Sequence, residues 1–149
     1  MNDLSVKEYR ALAEFRFQIR KFLQFSEAQA RAYDIEPQQH QLLLAVRGLP
    51  EGKIATVGEL PDRLRLKHHS TVELVNRLES QGAVSRGKNE VDRRKVTVAL
   101  TRAGSILLRK LSLAHRHELE TTGPELIRAL RTVLRASNPL GSGKRGPSG

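Results

Sequence analysis

LKHHSTVELVNRLESQGAVSRGKNEVDRRKVTVALT, residues 66–101, decides how this chain folds. Its first part sets Val72, Leu74, Val75 and Leu78 at helical spacing, one apolar stripe on a polar segment, and the pattern stops at Gly82. Glycine takes the left-handed conformation that closes a helix without steric cost, so the spacing predicts a helix over 68–81. Two short runs rich in β-branched residues follow, AVSR at 83–86 and KVTVAL at 95–100, on either side of the polar, basic GKNEVDRR at 87–94. That is a β-hairpin with a long charged tip. A helix with a hydrophilic start, followed at once by a basic hairpin, suits a winged helix-turn-helix, in which the helix enters a DNA major groove and the hairpin lies along the neighbouring backbone.

Charge points the same way. Lys and Arg number 26 against 16 Asp and Glu, a net +10, which favours a polyanionic partner. Residues 63–95 hold nine of the basic residues against four acids, so about half of the excess lies in and just before the stretch already quoted. A membrane-surface module would need a basic helix face opposite an apolar one, and the basic residues gather instead at one helix and one hairpin tip. At 149 residues and 38% hydrophobic content the chain can bury one good core, so one domain with appended helices is expected. It has no apolar run near 18 residues and no signal-peptide pattern after Met1, which predicts a cytoplasmic protein that is neither membrane-spanning nor exported. Cys is absent, which excludes disulfides, thiol redox sensing and thiolate metal sites.

Outward from the centre, residues 4–33 lack Gly and Pro, and Leu12, Phe15, Ile19, Phe22 and Leu23 recur every three or four positions, so a long amphipathic helix is expected. All six aromatic residues lie in it. Pro37 suits the first turn of a second helix, whose face is Gln39, Leu42, Leu43 and Val46 and which ends at Gly48. Ile54-Ala55 could pair with the hairpin as a third strand. Thr56-Val57-Gly58-Glu59 reads as a capping box opening a short helix over 57–64, in which Pro61 should cost one hydrogen bond and leave a tight or irregular first turn. Beyond Thr101, a good N-cap, a helix over 102–120 carries Ile106, Leu107, Leu108 and Leu111. Gly123-Pro124-Glu125 should end it and start another, bearing Leu126, Ile127, Leu130, Val133 and Leu134. The tail 136–149, ASNPLGSGKRGPSG, has the composition of a disordered segment.

The wing spells Asp92, Arg94, Val98, Leu100 and Thr101, and Arg77-Leu78-Glu79 leads through Gly82-Ala83-Val84 to Arg86. In these residues the chain resembles the MarR family of transcriptional regulators, whose wing carries Asp-x-Arg, three residues, Val-x-Leu-Thr. Pro61 departs from the family's usual small helix former, and Glu73 stands where a basic or polar residue is common. The resemblance implies a mainly α fold with a small β-hairpin wing (α+β): a winged helix-turn-helix over 36–101, with dimerisation helices over 1–35 and 102–135. It also implies a homodimer, double-stranded DNA with an inverted repeat as partner, and a small aromatic or anionic effector, for which the aromatic first helix with Arg16 and Arg20 would serve. No cofactor is implied.

The residues expected at DNA follow from position. Lys67, His68, His69, Ser70 and Thr71 open the recognition helix, where side chains meet base edges, and Glu73 could accept from a cytosine amine. Arg77 should lie nearer phosphate or the wing. Arg86, Lys88, Asp92, Arg93, Arg94 and Lys95 make up the wing's charged set, with Arg94, and secondarily Arg93, reaching the minor groove or its phosphates and Asp92 orienting an arginine. The dimerisation set is Leu12, Phe15, Ile19 and Phe22 with Leu126, Ile127, Leu130, Val133 and Leu134, because apolar faces on both sides of a complete winged domain must be covered. Metal binding and catalysis find little support. Adjacent His68 and His69 diverge by about 100° on a helix, His115 and His117 are spaced for different faces, and Ser70 lacks a nucleophile turn.

Overall fold

A computed structural model describes residues 3–137; of the expected tail 136–149, Ala136 is the last residue of a helix and residues 138–149 lie outside the described residues. The order is α1 (Val6–Ala32), α2 (Pro37–Arg47), α3 (Leu60–Leu64), α4 (His68–Ser80), β1 (Val84–Lys88), β2 (Val96–Leu100) and α5 (Arg102–Ala136). The fold is mainly helical with a two-stranded antiparallel wing. Contacts divide it into two units, residues 26–115 and residues 1–25 with 116–149.

The 26–115 unit is the winged helix-turn-helix. Its core gathers Leu42 and Leu43 of α2, Leu60 of α3, Leu74, Val75 and Leu78 of α4, Val84 and Val98 of the wing, and Leu108 and Leu111 of α5. The end of α1 and the start of α5 therefore contribute to this core, through Ala30 and Leu111, both fully buried. Pro37 occupies the first turn of α2, and Glu36 and Gln39 form a reciprocal capping box there. Helix α4 closes as a Schellman turn: Gly82 has φ +75, its N–H donates to Glu79 O at 3.0 Å, and Ala83 N–H donates to Leu78 O at 2.9 Å.

Three local expectations change. Helix α3 begins at Leu60, not near 57. The Thr56 hydroxyl does accept from Glu59 N–H at 3.0 Å, but the Glu59 carboxylate pairs with Lys53 at 3.3 Å, so half of the capping box is formed and residues 57–59 are a tight turn. This later start puts Pro61 within the first two helical positions, where it costs no helical hydrogen bond. Ile54-Ala55 does not extend into a third strand. Contact with the wing narrows to one bridge, Thr56 opposite Thr97, flanked by Val98 N–H to Ala55 O at 2.9 Å and Val57 N–H to Val96 O at 3.0 Å.

The third change is in the other unit. Helix α5 runs unbroken to Ala136 with Pro124 inside it, so no helix ends at Gly123. A proline there removes one bond and costs about 3 kcal/mol, but the less exposed positions Glu118, Thr122, Leu126, Ala129 and Val133 continue at spacings of three and four straight through it. Breaking the helix would split that stripe. Pro124 lies on the exposed side, Gly123 does not take a left-handed φ, and the Thr122 hydroxyl donates to Glu118 O at 2.9 Å. Helix α1 starts with a box that the sequence reading passed over: Ser5 N–H donates to Glu8 Oε2 at 2.7 Å and Glu8 N–H to the Ser5 hydroxyl at 3.2 Å, which holds the Glu8 carboxyl below its usual range.

Within the 26–115 unit, His40 is 2% exposed and its Nδ1 has no hydrogen-bond partner among the described residues. Its ring centroid lies 4.8 Å from that of His115, which is itself held by Leu111 O at 2.6 Å and the Ser26 hydroxyl at 2.7 Å. Burial, and then the charge of His115, lower the His40 pKa from 6.5 to about 4. Below pH 6.5 the unfolded chain takes up a proton that the folded chain refuses, so stability is full above 6.5 and declines as pH falls toward 4. Denaturant unfolding at pH 7 and pH 5 should show a loss about 1–2 kcal/mol greater in the native protein than in His40→Gln. Equal losses would show that His40 is not the group responsible.

Candidate nucleic-acid interface

The start of α4 is basic and uncapped. Lys67 takes the N-cap position with extended backbone (φ −68, ψ 152), makes no side-chain cap bond, and no acid occupies the first turn. The preceding turn aims it: Arg65 adopts a left-handed φ of 56 and Leu66 N–H returns to Pro61 O at 3.0 Å, ending α3 and turning the chain into α4. Free N–H groups at a helix start, with the positive end of its dipole, attract anions. His68, His69 and Glu73 are exposed here and Ser70 is half-buried. Thr71 is not available: it is fully buried, and its hydroxyl donates back to Lys67 O at 3.2 Å. The expectation that Thr71 meets base edges is corrected, because one step along the helix from Ser70 turns it by 100° into the core.

The wing pairs Val84 with Leu100, Arg86 with Val98 and Lys88 with Val96. Strand β1 runs on through Gly87, so the tip is 89–95, shorter than the sequence pattern suggests. Asn89 holds that tip. Buried to 8% exposure, its Oδ1 accepts Val91 N–H at 2.8 Å and Asp92 N–H at 3.0 Å, while its own N–H donates to Lys95 O at 3.1 Å. Asn suits this role because its short amide mimics a backbone turn. Asp92 then receives Arg94 at three points, the backbone N–H and Nε at 3.1 Å and a terminal nitrogen at 3.3 Å. First the Arg94 side chain and then its N–H hold the Asp92 carboxyl below its usual range. The Arg94 side chain itself stays 91% exposed, Lys88, Arg93 and Lys95 are exposed beside it, and Val91 at the apex is 97% exposed.

Arg86 differs from the other wing cations. Its guanidinium donates to Glu79 Oε1 at 3.0 Å and to Asn76 Oδ1, and its backbone N–H donates to Glu79 Oε2 at 3.1 Å. An arginine expected at DNA therefore straps the first strand of the wing to the last two turns of α4, and Arg77 remains the exposed cation on that part of the helix. Asn76, Glu79 and Asn89 were absent from the sequence-derived set. Only Asn89 carried a local signal, its residue type at the mouth of a turn.

In the other unit, Leu12, Ile127, Leu130 and Leu134 are exposed, at 42%, 51%, 41% and 61%, while Phe15, Ile19, Phe22, Leu126 and Val133 are partly buried. Leu4, Val6, Tyr9, Phe17, Leu23 and Leu119 add to the exposed apolar surface, and Lys21 stands 5.5 Å over the Phe17 ring. Among the described residues no helix is long and apolar enough to cross a membrane, and no three His, Cys, Asp or Glu gather as a metal site.

Residues 33–95 match the sequence profile of the MarR family. No curated protein matches the chain by sequence. Among solved structures it is similar to AbsC, a MarR family transcriptional regulator from Streptomyces coelicolor, with 18% identity over 93% of this chain and 94% of AbsC and a TM-score of 0.71. It is also similar to a Cys-to-Ser mutant of MarR from E. coli complexed with operator DNA, with 22% identity, 83% and 90% coverage and a TM-score of 0.62. A mutant of MepR from Staphylococcus aureus bound to an oligodeoxyribonucleotide matches with 18% identity, 83% and 94% coverage and a TM-score of 0.62. At these identities the likeness is one of fold.

The two arginine pairs should separate in thermal denaturation. Arg86→Ala removes a strap between two elements and should cost about 1–2 kcal/mol, while Arg94→Ala, which breaks an exposed pair at the tip, should stay within about 0.5 kcal/mol. Equal melting of Arg86→Ala and the native protein would mean that the strap contributes nothing to stability.

Proposed function

We propose that this chain, whose residues 33–95 match the MarR family, is a member of that family and a sequence-specific DNA-binding transcriptional regulator, a repressor that holds an inverted repeat as a homodimer and is released by a small ligand. The observation that carries this reading is the pairing of an uncapped, acid-free helix start at Lys67 with a wing tip that exposes Arg93, Arg94 and Lys95. Lys67 and the α4 amides suit phosphate; His68, His69 and Ser70 suit base edges; Arg94, turned by Asp92, suits the narrow minor groove. Glu73 discriminates against sites that lack a donor opposite it. Arg77, Lys88 and Arg93 add phosphate contacts, and Arg86 acts by holding wing and helix in register.

Selection of bound fragments from genomic DNA tests the reading. A regulator enriches one short inverted repeat and holds it at least about a thousandfold more tightly than bulk DNA. Uniform recovery of fragments would favour a sequence-indifferent, nucleoid-type binder instead. On the enriched site, Arg94→Ala should cost about 1–3 kcal/mol of affinity, and His69→Ala should change which bases are preferred. A uniform loss over all sequences would mark His69 as a phosphate contact.

Exposed apolar surface supports the homodimer. Leu12, Ile127, Leu130 and Leu134 lie in water with Leu4, Val6, Tyr9 and Phe17, and burying each large side chain is worth about 1.5–3 kcal/mol before ordering costs. A two-fold dimer covers these faces and sets two recognition helices about one DNA turn apart. Light scattering without DNA should give twice the chain mass, and charges at Leu130 and Leu134 should give aggregates or a weakly binding monomer. A soluble monomer that still holds the operator would overturn this part. The releasing ligand is a small aromatic or anionic molecule. Phe15, Phe22 and Phe25, half-buried in a helix that also bears Arg16 and Arg20, support one location for it.

A further inference from the structure

The cations of the wing share their hairpin with one apolar side chain. Val91 stands at the apex between Glu90 and Asp92 and is 97% exposed, where the next most exposed large hydrophobic residue among those described, Val6, is at 63%. Lys88, Arg93, Arg94 and Lys95 are exposed on the same hairpin. Hydrogen bonds fix the apex: Val91 N–H and Asp92 N–H both donate to Asn89 Oδ1, at 2.8 and 3.0 Å, and Lys95 N–H donates to Asp92 O at 3.0 Å, so the backbone on either side of Val91 is tied. Its side chain is branched at Cβ and has little rotamer freedom of its own. The turn therefore presents a preformed isopropyl group at its furthest point.

Turn apices ordinarily carry Gly, Asn, Asp or Ser, which bend the chain and are at home in water. A fixed apolar residue in a cationic setting suits a partner with apolar walls between anionic rims. The DNA minor groove has that composition: phosphates at the rims, the C–H faces of deoxyribose as walls, and a floor that offers only acceptors at A·T pairs but adds the guanine amine at G·C. Valine has no acceptor for that amine. An isopropyl group on the floor would take a guanine amine out of water and leave it unpaired, and a donor left without a partner costs more than a missing contact. The acceptors of an A·T pair fare differently. Arg94 engages Asp92 through Nε and one terminal nitrogen only, and its other terminal nitrogen can donate to the groove.

We propose that Val91 is a specificity-determining residue, which packs against the walls and floor of the minor groove and rejects G·C at the base pair it covers, through the guanine amine. The assignment rests on the reading of the chain as a DNA-binding regulator and divides the labour of the tip. Arg93, Arg94 and Lys95 attract the groove and its phosphates, and Val91 excludes the sequences that would leave a donor unpaired beneath it. Each half-site of an inverted repeat then carries one position read from the minor groove by an uncharged residue, apart from the bases that the start of α4 meets in the major groove.

The amine can be added or removed without altering the major groove, since diaminopurine·T carries it on an A·T pair and inosine·C lacks it on a G·C pair. The full chain is titrated by fluorescence anisotropy, at fixed salt, against the enriched site with each pair of the site and its flanks replaced in turn. At one pair in each half-site, diaminopurine·T should weaken the native protein at least about fivefold, and inosine·C should bind within about twofold of A·T. Val91→Thr keeps the shape and adds a hydroxyl that can accept from the amine, so its loss at diaminopurine·T should shrink to about twofold or less. Val91→Ala, too short to cover the floor, should shrink it likewise. Arg94→Ala should bind every sequence more weakly and keep the discrimination. An unchanged melting temperature checks that the exposed substitutions leave the fold intact. Indifference of the native protein to the amine at every pair would overturn the assignment, as would discrimination that survives in Val91→Thr and Val91→Ala or disappears in Arg94→Ala. Failure to enrich any site would instead overturn the proposed function, and the assignment with it.

Discussion

The placement of α4 against the wing hangs on two consecutive carbonyls. Gly82 O receives the Thr101 hydroxyl and Ala83 O receives the Thr101 N–H, so the residue that follows the wing is bound to the residues that end α4. Gly82 makes this possible by its left-handed φ, which turns the chain out of α4 directly into β1. Gly104 completes it from the other side, since any larger residue would collide with Ala83 O. Helix α4, the wing and the start of α5 thus leave one small knot in three directions. The Thr101 hydroxyl also accepts Gly104 N–H at 3.1 Å, so a single side chain caps α5 and anchors the wing at once.

Much of this was legible because it is local. The 3.6-residue stripe of α4, the stop at Gly82, the β-branched wing strands and the N-cap at Thr101 each follow from a few adjacent residues, and each is found where the pattern put it. The failures share a cause. Thr71 was grouped with exposed neighbours although the stripe of Leu74, Val75 and Leu78 already fixes the buried side of α4, and Thr71 lies three residues before Leu74. The local preference of Pro124 is to break a helix, while the stripe of less exposed residues that runs past it from Thr122 to Leu126 and Ala129 outweighs one lost hydrogen bond. Arg86 was counted as one more wing cation because its partners Asn76 and Glu79, ten and seven residues away, belong to another element. Periodicity carries no information about which side chain faces which across a turn.

The same reasoning explains why charge alone could not sort the arginines. By composition Arg86 and Arg94 are equivalent, yet Arg86 spends its guanidinium on α4 and Arg94 offers most of its surface to solvent. Arg47 of α2 shares a hollow with Arg102 and Arg109 of α5, which no run of basic residues announces. A count of cations gives a field; the fold decides which belong to a strap, a tip or a pocket.

At the apex of this cationic wing stands an uncharged residue, Val91, held in place by the Asn89 turn and almost wholly in water. Any surface that receives the tip must strip hydration from an isopropyl group before the neighbouring arginines reach their partners. Removing apolar surface from water leaves a negative heat-capacity change, a signature that neutralisation of charge lacks. The wing therefore brings an apolar component to the encounter, whose strength changes with temperature differently from that of the ionic contacts around it.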